Sequence, residues 1–239
     1  MKVINPETRT SVHFSINYLI AMSWMPDKAK TVDFQKALLD NGLDFSQTSV
    51  RPNMFTLFRS QPSNLTVKIE TPAQHVSSVQ IIVQNPSYDT EMFLQEASAV
   101  MDAYQKTWPA EQYQVIRAMA KIHHLYSSQG HAFKYLWEDR LDQSPGDFRC
   151  LGKRPVAGGG LRLIMPPHAI ENEEPHSIEL RIESFLHEPR KILVETVFVW
   201  PKPSVLAKGQ SFDPALLLGP VEEYATNEVW NFLTQKKNK

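Results

Sequence analysis

Along the first half of the chain the spacing of apolar residues switches between two periods, and each switch marks an element. Over residues 12–20, Val12, Phe14, Ile16, Tyr18 and Ile20 alternate with His13, Ser15 and Asn17, the period-two pattern of a half-buried strand. After a turn at 25–27 the period lengthens. Phe34, Ala37 and Leu38 recur at helical intervals, with Thr31 placed to cap a helix and Gly42 to end it. Period two returns at 54–58, 65–70 and 79–83, punctuated by Pro62-Ser63-Asn64 and Pro72, which predicts an antiparallel meander. Asp89 then opens a long helix with Phe93, Leu94, Ala97, Val100, Met101, Tyr104 and Trp108 on one face.

The second half reads in the same order. A long strand is predicted over 113–123, a short helix over 131–140, and strands over 161–165, 178–183 and 192–200. A terminal helix follows, in which Val221, Tyr224, Ala225, Val229, Phe232 and Leu233 keep helical spacing and Pro220 suits the first turn. Leu65-x-Val67-x-Ile69 and Ile178-x-Leu180-x-Ile182 are separated by the same interval as Val79 and Ile192, which points to an internal duplication. The expected fold class is α+β, with two tandem strand-helix-three strands-helix units, 1–110 and 111–239, built on antiparallel sheets with helices packed on one face. The two units could equally form one continuous domain, and the uncovered sheet face would be the natural binding surface.

Composition narrows the functional classes. The chain has 239 residues, 42% hydrophobic and 21% charged, the balance of a globular protein with a proper core. A formal net charge of -1 supplies no global field toward nucleic acid or an anionic membrane. No stretch carries the roughly 20 apolar residues of a spanning helix, and residues 1–7 lack the features of a secretory signal. The single cysteine, Cys150, rules out an intrachain disulfide and a multi-cysteine zinc site. The expectation is a cytoplasmic protein.

Candidate chemistry concentrates in a few places. Lys153 and Arg154 precede Gly158, Gly159 and Gly160, where a backbone free of side chains could present N–H groups to an anion while the cations neutralise it. The run lacks the spacing of a nucleotide-binding loop and leads into a strand, so a flexible approach to that strand is the competing reading. His123 and His124 close a predicted strand, where adjacent side chains point to opposite faces, so the pair cannot chelate one ion. His168 and His176 bracket Glu171, Glu173 and Glu174, but a solvated acidic loop explains them without a metal. No catalytic residue, metal or cofactor is assigned: there is no Gly-x-Ser-x-Gly elbow, and Cys150 carries no local nucleophile signature.

Three segments carry a family resemblance: Glu179-Leu180-Arg181-Ile182-Glu183-Ser184, the following Lys191-Ile192-Leu193-Val194-Glu195 strand, and the closing Glu228-Val229-Trp230-Asn231-Phe232-Leu233-Thr234 helix. This C-terminal part resembles a sporadically distributed family of bacterial proteins of unassigned function, and Val115-Ile116-Arg117-Ala118 is similar to its mid-chain strand. The resemblance implies an accessory role in bacterial conflict or defence systems and transfers no catalytic residue. The expected function is a non-enzymatic binding or interaction protein with a protein partner or as a homodimer, away from membranes. The alternatives are an RNA-binding or RNA-processing protein of tandem ferredoxin-like type, as in CRISPR effector complexes, and a small-molecule binding protein. In either of the last two, Lys153, Arg154, Gly158, Gly159, Gly160, His123 and His124 are the candidate contacts.

Overall fold

The structure is a computed structural model that describes residues 4–22, 27–152, 154–169, 174–201 and 204–235. Its strands are β1 (Thr10–Ile20), β2 (Gln47–Arg51), β3 (Met54–Arg59), β4 (Asn64–Ala73), β5 (Val76–Gln84), β6 (Gln112–Ser127), β7 (Gly160–Met165), β8 (Ser177–Ser184), β9 (Lys191–Trp200) and β10 (Ser204–Ala207). The helices are α1 (Lys28–Asp40), α2 (Thr90–Thr107), α3 (Ala132–Lys134), α4 (Ala215–Thr226) and α5 (Glu228–Thr234). All ten strands join one antiparallel sheet in the order β2-β3-β4-β5-β1-β6-β9-β8-β7, and β10 pairs with the start of β6.

This overturns the expected arrangement of two helix-packed units. The molecule is dominated by a single large sheet, and β1 and β6 are hydrogen-bonded neighbours through its middle. The first half holds four strands between its helices, because the polar segment at 47–51 pairs with β3 as an exposed edge that period-two reading does not detect. The helix expected over 131–140 is one short α turn running into a π-helical turn, Tyr135–Arg140. The terminal helix begins earlier than expected, at Ala215, and breaks at Asn227, so Pro220 lies inside α4 and not in its first turn. Proline there removes the bond to the carbonyl of Leu216, a residue exposed to solvent that can hydrate it.

The strand pleat sorts side chains onto two faces. On the covered face, Phe14, Ile16, Tyr18 and Ile20 of β1 meet α1, α2 and α4, with Phe14 5.5 Å from Phe93 and Phe34 5.6 Å from Phe55, ring centre to ring centre. Each such fully buried side chain contributes about 1.5–3 kcal/mol. The larger core cluster draws on residues either side of 110, from Phe14 to Val221. A smaller cluster gathers Ile4, Tyr126, Ala132, Leu136, Leu180, Ile192, Val229 and Leu233 beneath α5. Asp27, and not the expected Thr31, which lies inside the helix, caps α1, and Asp89 caps α2, each side chain accepting a backbone N–H of the first turn.

Candidate functional site

A large cavity forms where regular structure gives out. α3 carries Phe133 and the π-helical turn after it carries Trp137, and the 3-10 helix Pro145–Leu151 sets Phe148 against them. The three rings make a closed triad: Phe133–Trp137 6.0 Å, Phe133–Phe148 6.0 Å and Trp137–Phe148 5.9 Å, the last edge to face. Beside them opens a cavity of about 940 Å3, lined also by His131, Lys134, Arg149, Arg154, one carboxylate, Glu138, and residues 155–157. That volume is in the upper range of small-molecule sites, and its lining pairs aromatic surface with positive charge. Lys134 is 3.7 Å from Glu138; no ion pair of Arg149 or Arg154 is formed among the described residues. The cavity's bend at Gly152 has φ 109° and ψ -164°, a conformation open essentially to glycine alone.

The glycine run lies behind this cavity and is held by packing. A Cβ on Gly159 would sit 2.9 Å from Trp137 Nε1, one on Gly158 2.4 Å from Leu186 Cδ2, and one on Gly160 2.5 Å from the Ile182 carbonyl. The backbone therefore passes flat against the indole on its way into β7. Gly159 donates its N–H to Ser184 Oγ (3.1 Å) and accepts from the Ser184 N–H (3.0 Å), so its amide is already engaged. Arg154 lines the cavity directly, while Lys153 lies outside the described residues. The Trp137 indole N–H is buried without an acceptor among the described residues.

His123 and His124 point to opposite faces, as strand geometry requires, and do different things. His123 stands on the open face across from His13, the two rings stacked 4.5 Å apart. Its Nε2 lies 2.6 Å from Glu195 Oε2, and Lys121 reaches the same carboxylate at 3.6 Å. His123 and Lys121 together hold Glu195 down to about 2 against the opposing effect of burial. Burial first, then His123 and Lys121, lowers His13 to about 4, so it is neutral near pH 7 and contacts Ser15 Oγ at 3.0 Å. His124 is turned into the covered face, 2% exposed, and burial lowers it to about 3. The stacked pair was invisible in sequence because it depends on the β1–β6 register.

Other charges of the open face form pairs, although Arg117 forms none among the described residues. Lys68 pairs with Glu70 (2.6 Å), Arg162 with Glu179 (2.7 Å) and Arg181 with Glu183 (2.8 Å). Among the described residues no group of three or more His, Cys, Asp or Glu side chains is placed to hold a metal ion, and Glu171 and Glu173 lie outside them. Among the described residues no helix is long and apolar enough to cross a membrane. Neither a protein-family model nor a curated protein matches the chain.

Proposed function

We propose that this is a non-enzymatic binding protein whose ligand is a small planar aromatic anion, held in the cavity beside Phe133, Trp137 and Phe148. The observation that carries the reading is the coincidence of three packed rings with Arg149 and Arg154, two guanidinium groups without an acidic partner among the described residues. Aromatic faces bind a planar group without regard to its polar pattern, and guanidinium supplies the forked donors that fit a carboxylate or phosphate. Under this reading the family resemblance adds an accessory role in a bacterial defence system, exercised in the cytoplasm. A protein partner would then respond to the loaded or empty cavity. The paired charges of the open face favour the small ligand over RNA, which asks for an uncompensated basic stripe.

A native mass spectrum of the protein taken gently from its own cells tests this directly. The expected result is a bound mass of small-molecule size that is lost in a double Arg149→Gln, Arg154→Gln variant. Co-purified nucleic acid or a stoichiometric protein, with an empty cavity, would replace the reading. Titration with adenosine 5′-monophosphate, adenosine and ribose 5-phosphate separates the two halves of the site: the compound with both base and phosphate should quench indole emission at the lowest concentration.

A further inference from the structure

The sheet ends on two edges of different character. β2 is polar and exposed along its whole length. β7, at the other end, pairs among the described residues only with β8, and leaves Leu163 39% and Ile164 64% exposed on its two faces. Its one charged residue, Arg162, is drawn across its own sheet to Glu179 at 2.7 Å. Edge strands in natural proteins are commonly blunted by free charge, proline or a bulge, and β7 has none of these.

The ladder fixes which backbone groups face outward. Ser184 donates its N–H to the Gly159 carbonyl at 3.0 Å, in the register that sets Gly160 opposite Glu183. Hydrogen-bonded and open positions alternate along an antiparallel pair, so Leu161, Leu163 and Met165 bond to β8. Gly160, Arg162 and Ile164 then turn N–H and C=O toward the side of β7 that carries no strand.

The same strand leads out of the aromatic cavity. Ala157 lines the cavity and lies three residues before Gly160, at most about 11 Å along the chain. A segment added antiparallel to β7 runs with its C-terminal end toward the cavity, and one added parallel arrives with its N-terminal end. Charge selects between them. Lys134, Arg149 and Arg154 line the cavity against a single carboxylate, Glu138, which Lys134 already approaches at 3.7 Å. That surplus repels a chain-terminal ammonium and attracts a chain-terminal carboxylate.

We propose that the partner of the cavity is the extended C-terminal segment of another protein, added antiparallel to β7, with its carboxylate beside Arg149 and Arg154 and an aromatic last side chain against Phe133, Trp137 and Phe148. This rests on the reading of the cavity given above and makes its planar aromatic anion the end of a chain. Main-chain hydrogen bonds to Gly160, Arg162 and Ile164 supply affinity with little demand on sequence, and the cavity reads the last residue. Apolar side chains of the segment lie beside Leu161 and Leu163.

The test is fluorescence anisotropy of a hexapeptide, Lys-Val-Thr-Val-Thr-Phe, with a dye at its N-terminus and a free C-terminal carboxylate. Titration with the full chain should give saturable binding, at least tenfold weaker for the C-terminal amide. Ile164→Pro removes an outward N–H, a change an edge strand tolerates, and should weaken the peptide at least tenfold while quenching by adenosine 5′-monophosphate and the circular dichroism stay unchanged. N-methylation of the peptide, which leaves the protein untouched, should cost at least tenfold more at one alternating pair, the valines or the threonines, than at the other. No binding, equal binding of acid and amide, or binding indifferent to both Ile164→Pro and N-methylation would overturn the proposal. If adenosine 5′-monophosphate still quenches in such a case, the cavity reading stands and only the peptide falls; if neither ligand responds, both fall. Sedimentation of the chain alone tests the rival occupant: a dimer that Ile164→Pro converts to monomer, without peptide binding, gives the edge to a second copy and overturns the proposal.

Discussion

Two regions of the covered sheet face treat their buried polar groups in opposite ways. Under α2, Arg59 reaches Glu96 at 2.5 Å, Tyr88 donates its hydroxyl to the same carboxylate at 2.5 Å, and Ser77 meets the Tyr104 hydroxyl at 3.1 Å. Only Arg59 Nε is left over there. Between β6, β9 and the C-terminal helices, His124 Nδ1 and Thr196 Oγ1 have no hydrogen-bond partner among the described residues, and Trp137 Nε1 has none beside the glycine run. Both regions are well buried, so exposure does not explain the contrast. A closed network fixes one packing of its neighbours, whereas open hydrogen-bonding capacity is what a ligand can complete.

The contrast is most easily broken at Glu96. Glu96→Ala leaves Arg59 buried and uncompensated and should cost about 3–5 kcal/mol in chemical denaturation. Thr196→Val, at a fully buried position, should change stability by less than about 1 kcal/mol, because no bond is lost. Comparable losses for the two variants would erase the distinction. Next in size, Gly159→Ala forces the backbone and the Trp137 indole apart and should cost about 1–3 kcal/mol with a shift in indole emission. Gly130→Ala, with nothing within 4 Å of the added methyl, is the control.

Acid sharpens the comparison further. His124 has a folded pKa of about 3 against an ordinary 6.5, so it stays neutral in the fold while the unfolded chain takes up a proton. Its contribution is therefore complete above pH 6.5 and is lost as pH falls toward 3, by about 1 kcal/mol per pH unit. His124→Phe should flatten the stability profile in that window. Glu195, lowered from 4.5 to about 2, acts in the same direction at lower pH, its contribution fading between those values. The smallest effect is expected on the open face, where Lys121→Gln should cost no more than about 0.5 kcal/mol, and less in high salt.

Much of the element inventory was legible because burial on one face forces a period. Phe14, Ile16, Tyr18 and Ile20 could only be a strand, and Phe93, Ala97, Val100, Met101 and Tyr104 only a helix. The polar β2 carried no such signal, since neither of its faces is buried. The kinship of the halves in element order led to two units, and order alone says nothing about which strands become neighbours. Of the candidate contacts, Arg154 stands out by its charge and Gly159 by a backbone free to offer its N–H to an anion, although that N–H goes to Ser184 Oγ and the glycine serves to pass the indole. Phe133, Trp137 and Phe148 looked like ordinary packing residues, because three rings at irregular spacing declare a cavity wall only once the chain turns back on itself.

The sequence by itself settled which segments are strands and helices over most of the chain, that Asp89 opens the long helix, and that adjacent histidines diverge. These are local consequences of backbone geometry and side-chain alternation. Only the tertiary structure decided that the strands close into one sheet through β1 and β6, that His13 stacks on His123, and that Tyr126 and Arg9 share a cleft. Those facts depend on register and on contacts between residues more than a hundred positions apart, and no local pattern encodes which long-range pairing has the lowest free energy.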